Sequence, residues 1–207
     1  MIQPVFLYGA SGHAKVIIEI LELNKIPVLG LFDDNPDIKR LLDYDVLGPV
    51  GKKKVKNPVI ISIGDNILRK KVSERFVFTY TQAIHPTSTI SRRAVIGTGT
   101  VAMGHSIINA GTMIGQHCII NTSASIDHDC VLEDFVHISP NATLSGGVVV
   151  GEGTHIGSAA VVIPSVKIGK WATIGAGAVI LRDVPDFATV VGNPGKIIKI
   201  INKMKMG

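Results

Sequence analysis

Residues Ile108 to Ile126 read INAGTM, IGQHCI, INTSAS, I, with an aliphatic side chain returning at every sixth position. Extended outward, the same step collects Ile84, Ile90, Ile96, Ala102, Ile108, Ile114, Ile120, Ile126, Leu132, Ile138, Leu144, Val150, Ile156, Val162, Ile168, Ile174 and Ile180, of which all but Ala102 are Ile, Leu or Val. Four residues after each comes a small or β-branched residue, such as Ser88, Thr100, Cys118, Ala124, Cys130, Thr154 or Ala178, and never a charged one. That position lies two before the next aliphatic, so each hexad sends one small and one large side chain to the same side of a short strand. Helices need apolar spacings of three and four, and hairpin sheets turn at irregular intervals. A strict six calls for a parallel β-helix, in which three sides close one coil, residues eighteen apart stack at roughly 4.8 Å, and the segment makes about five coils. Gly, Asn, Asp and Ser between the aliphatic positions suit its corners.

The rest of the composition agrees. The chain has 207 residues, 46% hydrophobic and 18% charged, which excludes a disordered or collagen-like chain. Mean hydropathy is +0.37, but apolar runs such as Ala159 to Ile163 are far too short to span a bilayer. The N-terminal residues Met1-Ile2-Gln3-Pro4 lack the basic flank of a signal peptide, so a cytoplasmic protein that does not engage a membrane is expected. Cys118 and Cys130 both fall on the small inward position and read as buried filler rather than nucleophiles or a disulfide. A net charge of +5 permits an anionic partner without choosing one.

The first eighty residues have no hexads. Val5 to Leu7 reads as a strand, followed by Gly9-Ala10-Ser11-Gly12-His13 and a helical stripe from Ala14 to Leu23. A second strand, Val28 to Phe32, ends in Asp33-Asp34, and a third, Val59 to Ile63, ends in Gly64-Asp65-Asn66 before a helix through Arg75. This is an α/β, Rossmann-like half-domain, whose ligands sit beyond the carboxyl ends of the strands. The turn has two of the three fingerprint glycines and no P-loop ending, so it specifies little by itself. Helix-start amides suit a diphosphate, and a carboxylate suits a ribose hydroxyl or a base N–H. A purely structural turn with capping aspartates is the alternative, and Lys52-Lys53-Lys54 reads as a solvated loop. The expected division is residues 1–80 for this unit and 81–207 for the β-helix with its tail.

Outward polar residues of the β-helix are densest from Asn121 to Ile138, around Asp127-His128-Asp129 and His137. A histidine beside a carboxylate can act as a general base near neutral pH, although the same pair is common on plain surfaces. His137 and His155, eighteen apart, should stack on successive coils, as a ligand contact, a metal pair or a simple surface ladder. His105 and His117 have no partner in sequence and are assigned no chemistry.

Together, the hexads, the Gly-Ala-Ser-Gly-His turn, Asp33-Asp34, Ile126-Asp127-His128-Asp129-Cys130 and the ending Gly192-Asn193-Pro194-Gly195-Lys196 resemble the left-handed β-helix acyltransferases of bacterial surface-sugar synthesis. The likeness is greatest to those that acetylate the 4-amino group of a UDP-linked amino sugar on the way to diacetylbacillosamine, with sialic acid O-acetyltransferases as neighbours. The resemblance implies acetyl-CoA as cosubstrate, His128 as general base and Asp129 as the acid that raises its basicity. It implies acetyl-CoA contacts from His137, Asn121, Ser158 and Ala176, and nucleotide-sugar contacts from Ser11, Gly12, His13, Asp33 and Asp34. Gly64 and Asn66 join the last set through the crevice. It also implies a homotrimer with each site between neighbouring β-helices, while Lys167, Lys196 and Lys199 are candidates for the CoA phosphates. Other acceptors left open are a GDP- or dTDP-linked amino sugar and the sialic acid hydroxyl.

Competing classes are a zinc hydratase on the same β-helix, which needs histidines closer than the nine residues separating His128 from His137, and a non-catalytic nucleotide-sugar sensor. No metal is expected. Nucleic-acid binding is disfavoured by scattered basic residues and few aromatics.

Overall fold

The computed structural model describes residues 3–51 and 54–201. Lys52 and Lys53 of the lysine run lie outside the described residues, and Lys54 is exposed. The chain opens with β1 (Val5–Tyr8), α1 (Gly12–Leu23) and β2 (Val28–Phe32), then a hairpin of β3 (Arg40–Leu41) and β4 (Tyr44–Asp45), then β5 (Val59–Ile61) and α2 (Asn66–Arg75). The order β2-β1-β5, all parallel, brings the carboxyl ends of three strands to one edge. β5 is buried throughout, which explains its unbroken Val-Ile-Ile run. α1 buries Ala14, Ile17, Ile18, Ile20 and Leu21, the stripe seen in sequence. The hairpin had no signal in the sequence reading, because its rungs are only two residues long.

From Ala83 to Ile180 follow seventeen two-residue strands at six-residue intervals, three to a coil, making between five and six coils of a left-handed parallel β-helix. Residues eighteen apart pair in register: Ile120 with Ile138, Ile126 with Leu144, Leu132 with Val150. Three faces result. The first carries Ile119–Ile120, His137–Ile138 and His155–Ile156; the second carries Ser125–Ile126 and Thr143–Leu144; the third carries Val131–Leu132 and Val149–Val150. The core is the hexad set itself, from Ala102 to Val190, closed by the small inward residues; Ile84, Ile90, Ala94 and Ile96 at the open end are partly exposed. Each large aliphatic contributes roughly 1.5–3 kcal/mol by burial.

Where the small inward residue is Thr, its hydroxyl replaces packing with hydrogen bonds. Thr154 Oγ1 donates to the Gly169 carbonyl at 2.6 Å and accepts from Ala172 N at 3.0 Å, so a buried polar group links neighbouring coils without an unmet partner. Cys118 and Cys130 are free and buried, and burial pushes the Cys118 thiol up to about 12, so neither is a thiolate.

Two features were not legible in sequence. After the last hexad, Ala188–Val191 and Lys196–Ile200 pair antiparallel and cover the end of the first face. And the N-terminal unit is tied to the prism by Arg69 of α2, which is 1% exposed. Its guanidinium donates to the carbonyls of His117 (2.8 Å), Phe135 (2.9 Å), Ile63 (3.0 Å) and Gly64 (3.1 Å) and to Asn66 Oδ1 (2.8 Å). His117, assigned no chemistry from sequence, is buried in this junction, stacked on Phe135 and edge-on to Tyr80. Lys70 reinforces it through Glu152, and lies over the Trp171 ring. The unit therefore docks on the first face and on the corner between the third and first faces.

Candidate active site

The corner between the second and third faces, residues 127–130, lies opposite the face on which the N-terminal unit docks. Asp129 adopts the left-handed conformation there (φ +58°), one of a series of such residues repeating every six along the corners. That bend turns its side chain back on its neighbour, so that His128 Nδ1 and Asp129 Oδ2 are 2.8 Å apart. With the Nδ1 proton directed at the carboxylate, Nε2 is left as the free base. Asp127 completes the turn: its Oδ1 accepts from His128 N at 2.8 Å and from Asn109 Nδ2 of the preceding coil at 2.9 Å. The contact with Asp129, followed by the charge of Asp127, raises the His128 pKa above its usual value; hydrogen bonding from Asn109 lowers that of Asp127.

Gly146, eighteen residues on, is the floor beneath the imidazole. A Cβ there would stand 2.6 Å from His128 Cε1 and Nε2, so the ring occupies the place of the missing side chain.

On the first face, the His137 and His155 rings stack with centroids 4.7 Å apart, as the spacing of eighteen implied. His137 Nε2 is 3.2 Å from Asn121 Nδ2, and His155 Nε2 is 2.7 Å from Ser139 Oγ. Burial, then the charge of His155, pushes His137 down to about 3, so it is neutral. Asn121 lies on the corner leading to the second face, where Ser158 and Ala176, both exposed, stack on successive coils. The four residues implied for acetyl-CoA thus line one edge of the prism. His137 and His155 also border a cleft of about 500 Å³ with Gly64, Asp65, Ile67 and Trp171.

At the carboxyl edge of the α/β unit, Gly9 has φ +109° and a Cβ there would meet Ile63 Cγ1 at 2.7 Å, so the turn requires glycine. Ser62 Oγ fixes it by donating toward the Gly9 carbonyl at 2.6 Å. Ser11 precedes α1 without capping it through its side chain, leaving the helix-start amides available. A Cβ on Gly12 or Gly64 meets nothing within 4 Å, so protein packing asks for neither glycine. His13 is half-buried with Nε2 unpartnered, and burial followed by the charge of Arg69 lowers it to about 4.

The remaining residues of the set separate by role. Asp33 is engaged by backbone: Oδ2 accepts from Ala10 N at 2.7 Å and Oδ1 from Asn35 N at 2.8 Å. Asp34 points the other way, half-exposed, to Arg75 Nη1 at 2.6 Å. Asn66 is buried, its amide donating to the Gly153 carbonyl at 2.9 Å and its oxygen accepting from Arg69. Asp34 borders a crevice of about 410 Å³ with Tyr8, Leu68, Lys71, Val72 and Arg75, residues the sequence reading did not single out. The Tyr8, Lys71 and Arg75 signals were hidden because each belongs to an ordinary strand or helix pattern.

A hexad prism carrying a nucleotide-binding half-domain, with an acid-supported imidazole on one corner, defines a β-helix acyltransferase. Two family descriptions match the chain: PglD N-terminal domain over residues 4–76, and bacterial transferase hexapeptide (six repeats) over residues 147–182. The perosamine N-acetyltransferase of Caulobacter crescentus, crystallised with CoA and GDP-perosamine, is 37% identical with a TM-score of 0.89, covering 96% of this chain and 98% of that one. The acetyltransferase domain of PglB from Neisseria gonorrhoeae, also solved with acetyl coenzyme A, is 34% identical with a TM-score of 0.89, covering 95% and 100%. An uncharacterized protein of Acanthamoeba polyphaga mimivirus is 34% identical over 105 residues, 49% of this chain; the match spans 21% of that protein's length. The chain belongs to the PglD-like, hexapeptide-repeat family of sugar N-acetyltransferases, which are acetyl-CoA-dependent. Among the described residues no helix is long and apolar enough to cross a membrane.

Proposed function

We propose that the protein transfers the acetyl group of acetyl-CoA to the 4-amino group of a UDP-linked amino sugar, with His128 as general base. The observation that carries this reading is the 2.8 Å contact of His128 Nδ1 with Asp129, which leaves Nε2 free on a glycine floor. The amine nitrogen attacks the thioester carbonyl carbon, and His128 Nε2 takes its proton as the C–N bond forms. The C–S bond then breaks, and the imidazolium returns the proton to the departing CoA sulfur. No acyl-enzyme is needed, and the buried cysteines take no part. His137, neutral and with Nε2 accepting from Asn121 Nδ2, lines the acetyl-CoA edge with Asn121, Ser158 and Ala176. Ser11, Gly12, His13 and Gly64 accommodate the diphosphate and sugar, the two open glycines allowing close approach; Asp34 remains available to the nucleoside. Asp33 and Asn66 support the crevice through the backbone. In this reading residues 1–80 bind the nucleotide sugar and 81–207 carry out acyl transfer.

His128 and the crevice lie on opposite sides of one prism, so a complete site takes His128 from a neighbouring copy. An apolar ladder supports such packing: Val95, Met113 and Val131, eighteen apart, project outward beside the His128 corner and are 60%, 55% and 37% exposed. This reading gives a homotrimer. A GDP-linked 4-amino sugar is the second acceptor reading, favoured by the ligand of the Caulobacter relative. Release of free thiol from acetyl-CoA, measured against a panel of nucleotide-linked 4-amino sugars with wild type beside His128→Ala, tests the proposal. Thiol release with at least one of them, lost in the variant, is expected; none above background with any of them contradicts it.

A further inference from the structure

The excess positive charge of the chain is collected in one stretch. Residues 187–207 hold Lys196, Lys199, Lys203 and Lys205 and no acid, which is four of the net +5. The same stretch is apolar: from Lys196 onward it reads KIIKIINKMKMG, with four isoleucines and two methionines among the lysines. Its first part, the strand Lys196–Ile200, is the outermost of its sheet and exposed along its whole length, Ile197, Ile198 and Ile200 being 49%, 63% and 59% exposed. Exposed Leu181 shares a groove with Lys196 and Ile197, and exposed Val191 pairs with Lys196, so both lie at this end of the prism. Between Val131 and Leu181, by contrast, Val161 is the only exposed large aliphatic among the described residues. Arg182 adds a further cation, while the nearby Asp183 and Asp186 each give one oxygen to a backbone N–H, of Lys167 and Lys170, at 2.8 Å.

An exposed edge strand is a template for another strand, but two features oppose pairing with a second copy. The register shifts between Thr189 and Val190, leaving Ile198 opposite no residue, and such a bulge breaks the ladder. Pairing two such ends would also set the lysines of one copy against those of the other. Nucleic acid fits poorly, since the basic stretch from Lys196 onward contains no aromatic residue for a base to stack on. A surface that is anionic and apolar at once satisfies both halves of the stretch. We propose that this end of the β-helix docks on the surface of a bilayer containing anionic phospholipids, the exposed isoleucines entering the boundary between headgroups and acyl chains and the lysines meeting the phosphates. The expectation of a protein that does not engage a membrane rested on the lack of a spanning segment, and lying on a surface needs none. The inference is independent of which sugar is acetylated.

Co-sedimentation of the full-length protein with vesicles tests it, with phosphatidylglycerol mixed with phosphatidylethanolamine as the anionic surface and phosphatidylcholine alone as the neutral one. Wild type should partition onto the anionic vesicles at least roughly tenfold more strongly, and lose the preference as salt is raised. Replacing Lys203 and Lys205 together by Gln should weaken anionic partition roughly tenfold or more, whereas Lys25→Gln with Lys39→Gln, the same change of charge in the N-terminal unit, should not. Ile198→Ser with Ile200→Ser should weaken it with every lysine in place, a melting curve confirming that each variant is folded. Lys196 and Lys199 are also candidates for the CoA phosphates, so saturating CoA is added as a control and should leave the bound fraction unchanged. The proposal is overturned by absence of anionic partition in folded wild type, by equal partition onto both vesicles, by displacement with CoA, or by equal losses from the two lysine pairs. Assemblies larger than a trimer that Ile198→Ser dissolves, without vesicle binding, would assign this end to a second copy instead.

Discussion

The general-base role proposed for His128 requires an imidazole deprotonated at Nε2 and correctly placed, and both conditions depend on neighbours. Because Asp129 raises the His128 pKa, the acidic limb of kcat/KM should lie above the ordinary histidine value. The neutral form is the base, so the rate rises as pH increases through that pKa. Asp129→Asn should move the limb to lower pH and lower the plateau; a pH profile whose limb does not move would assign the pair a surface role only. His128→Ala should reduce kcat by roughly 10² to 10⁴-fold. Gly146→Ala supplies a different test, since the new Cβ would displace an exposed ring. We expect a fall in kcat with little change in thermal stability, read by kinetics beside a melting curve. In sequence the Asp-His-Asp run marked the candidate base, whereas its glycine floor eighteen residues away was one glycine among many. The separation of Asp33 from Asp34 was likewise hidden, because it depends on which backbone N–H groups each carboxylate meets after folding.

At the level of elements, the hexad spacing made the prism legible residue by residue, since a period of six leaves few alternatives for where a side chain points. The corners were less so. Positions 135, 159 and 171 adopt the left-handed conformation as Phe, Ala and Trp, so corner geometry is imposed by stacking and not announced by glycine. The junction was invisible for a stronger reason: Arg69 sits in a helix of mean polar character, where an arginine ordinarily faces water. Its five acceptors come from three separate segments of the chain. Arg69→Met should leave buried carbonyls unpaired and destabilise the protein by roughly 3 kcal/mol or more, measured by chemical denaturation. A change below about 0.5 kcal/mol would show that the junction holds through its aromatic packing alone.

At the scale of the whole molecule, the sequence indicated two units, a repeat and a Rossmann-like half, but not that they would place His128 and the crevice on opposite sides of a prism. In the proposed mechanism, that arrangement makes oligomerisation a requirement for catalysis. Replacing Met113 by Glu, at the exposed ladder, should lower both molecular mass in sedimentation and specific activity together, while the hexad core stays folded. A variant that remains fully active as a monomer would separate the two properties.

The most direct measurement mixes two inactive proteins. His128→Ala lacks the base, and Gly12→Glu places a negative charge in open space at the head of α1, where the diphosphate is proposed to lie. Co-refolded at equal amounts, their subunits assort at random, and a site built from the His128 of one copy and the crevice of its neighbour is intact at about one quarter of positions. Thiol release near a quarter of the wild-type rate per site is the expected result. Activity no higher than that of either variant alone would contradict a shared site.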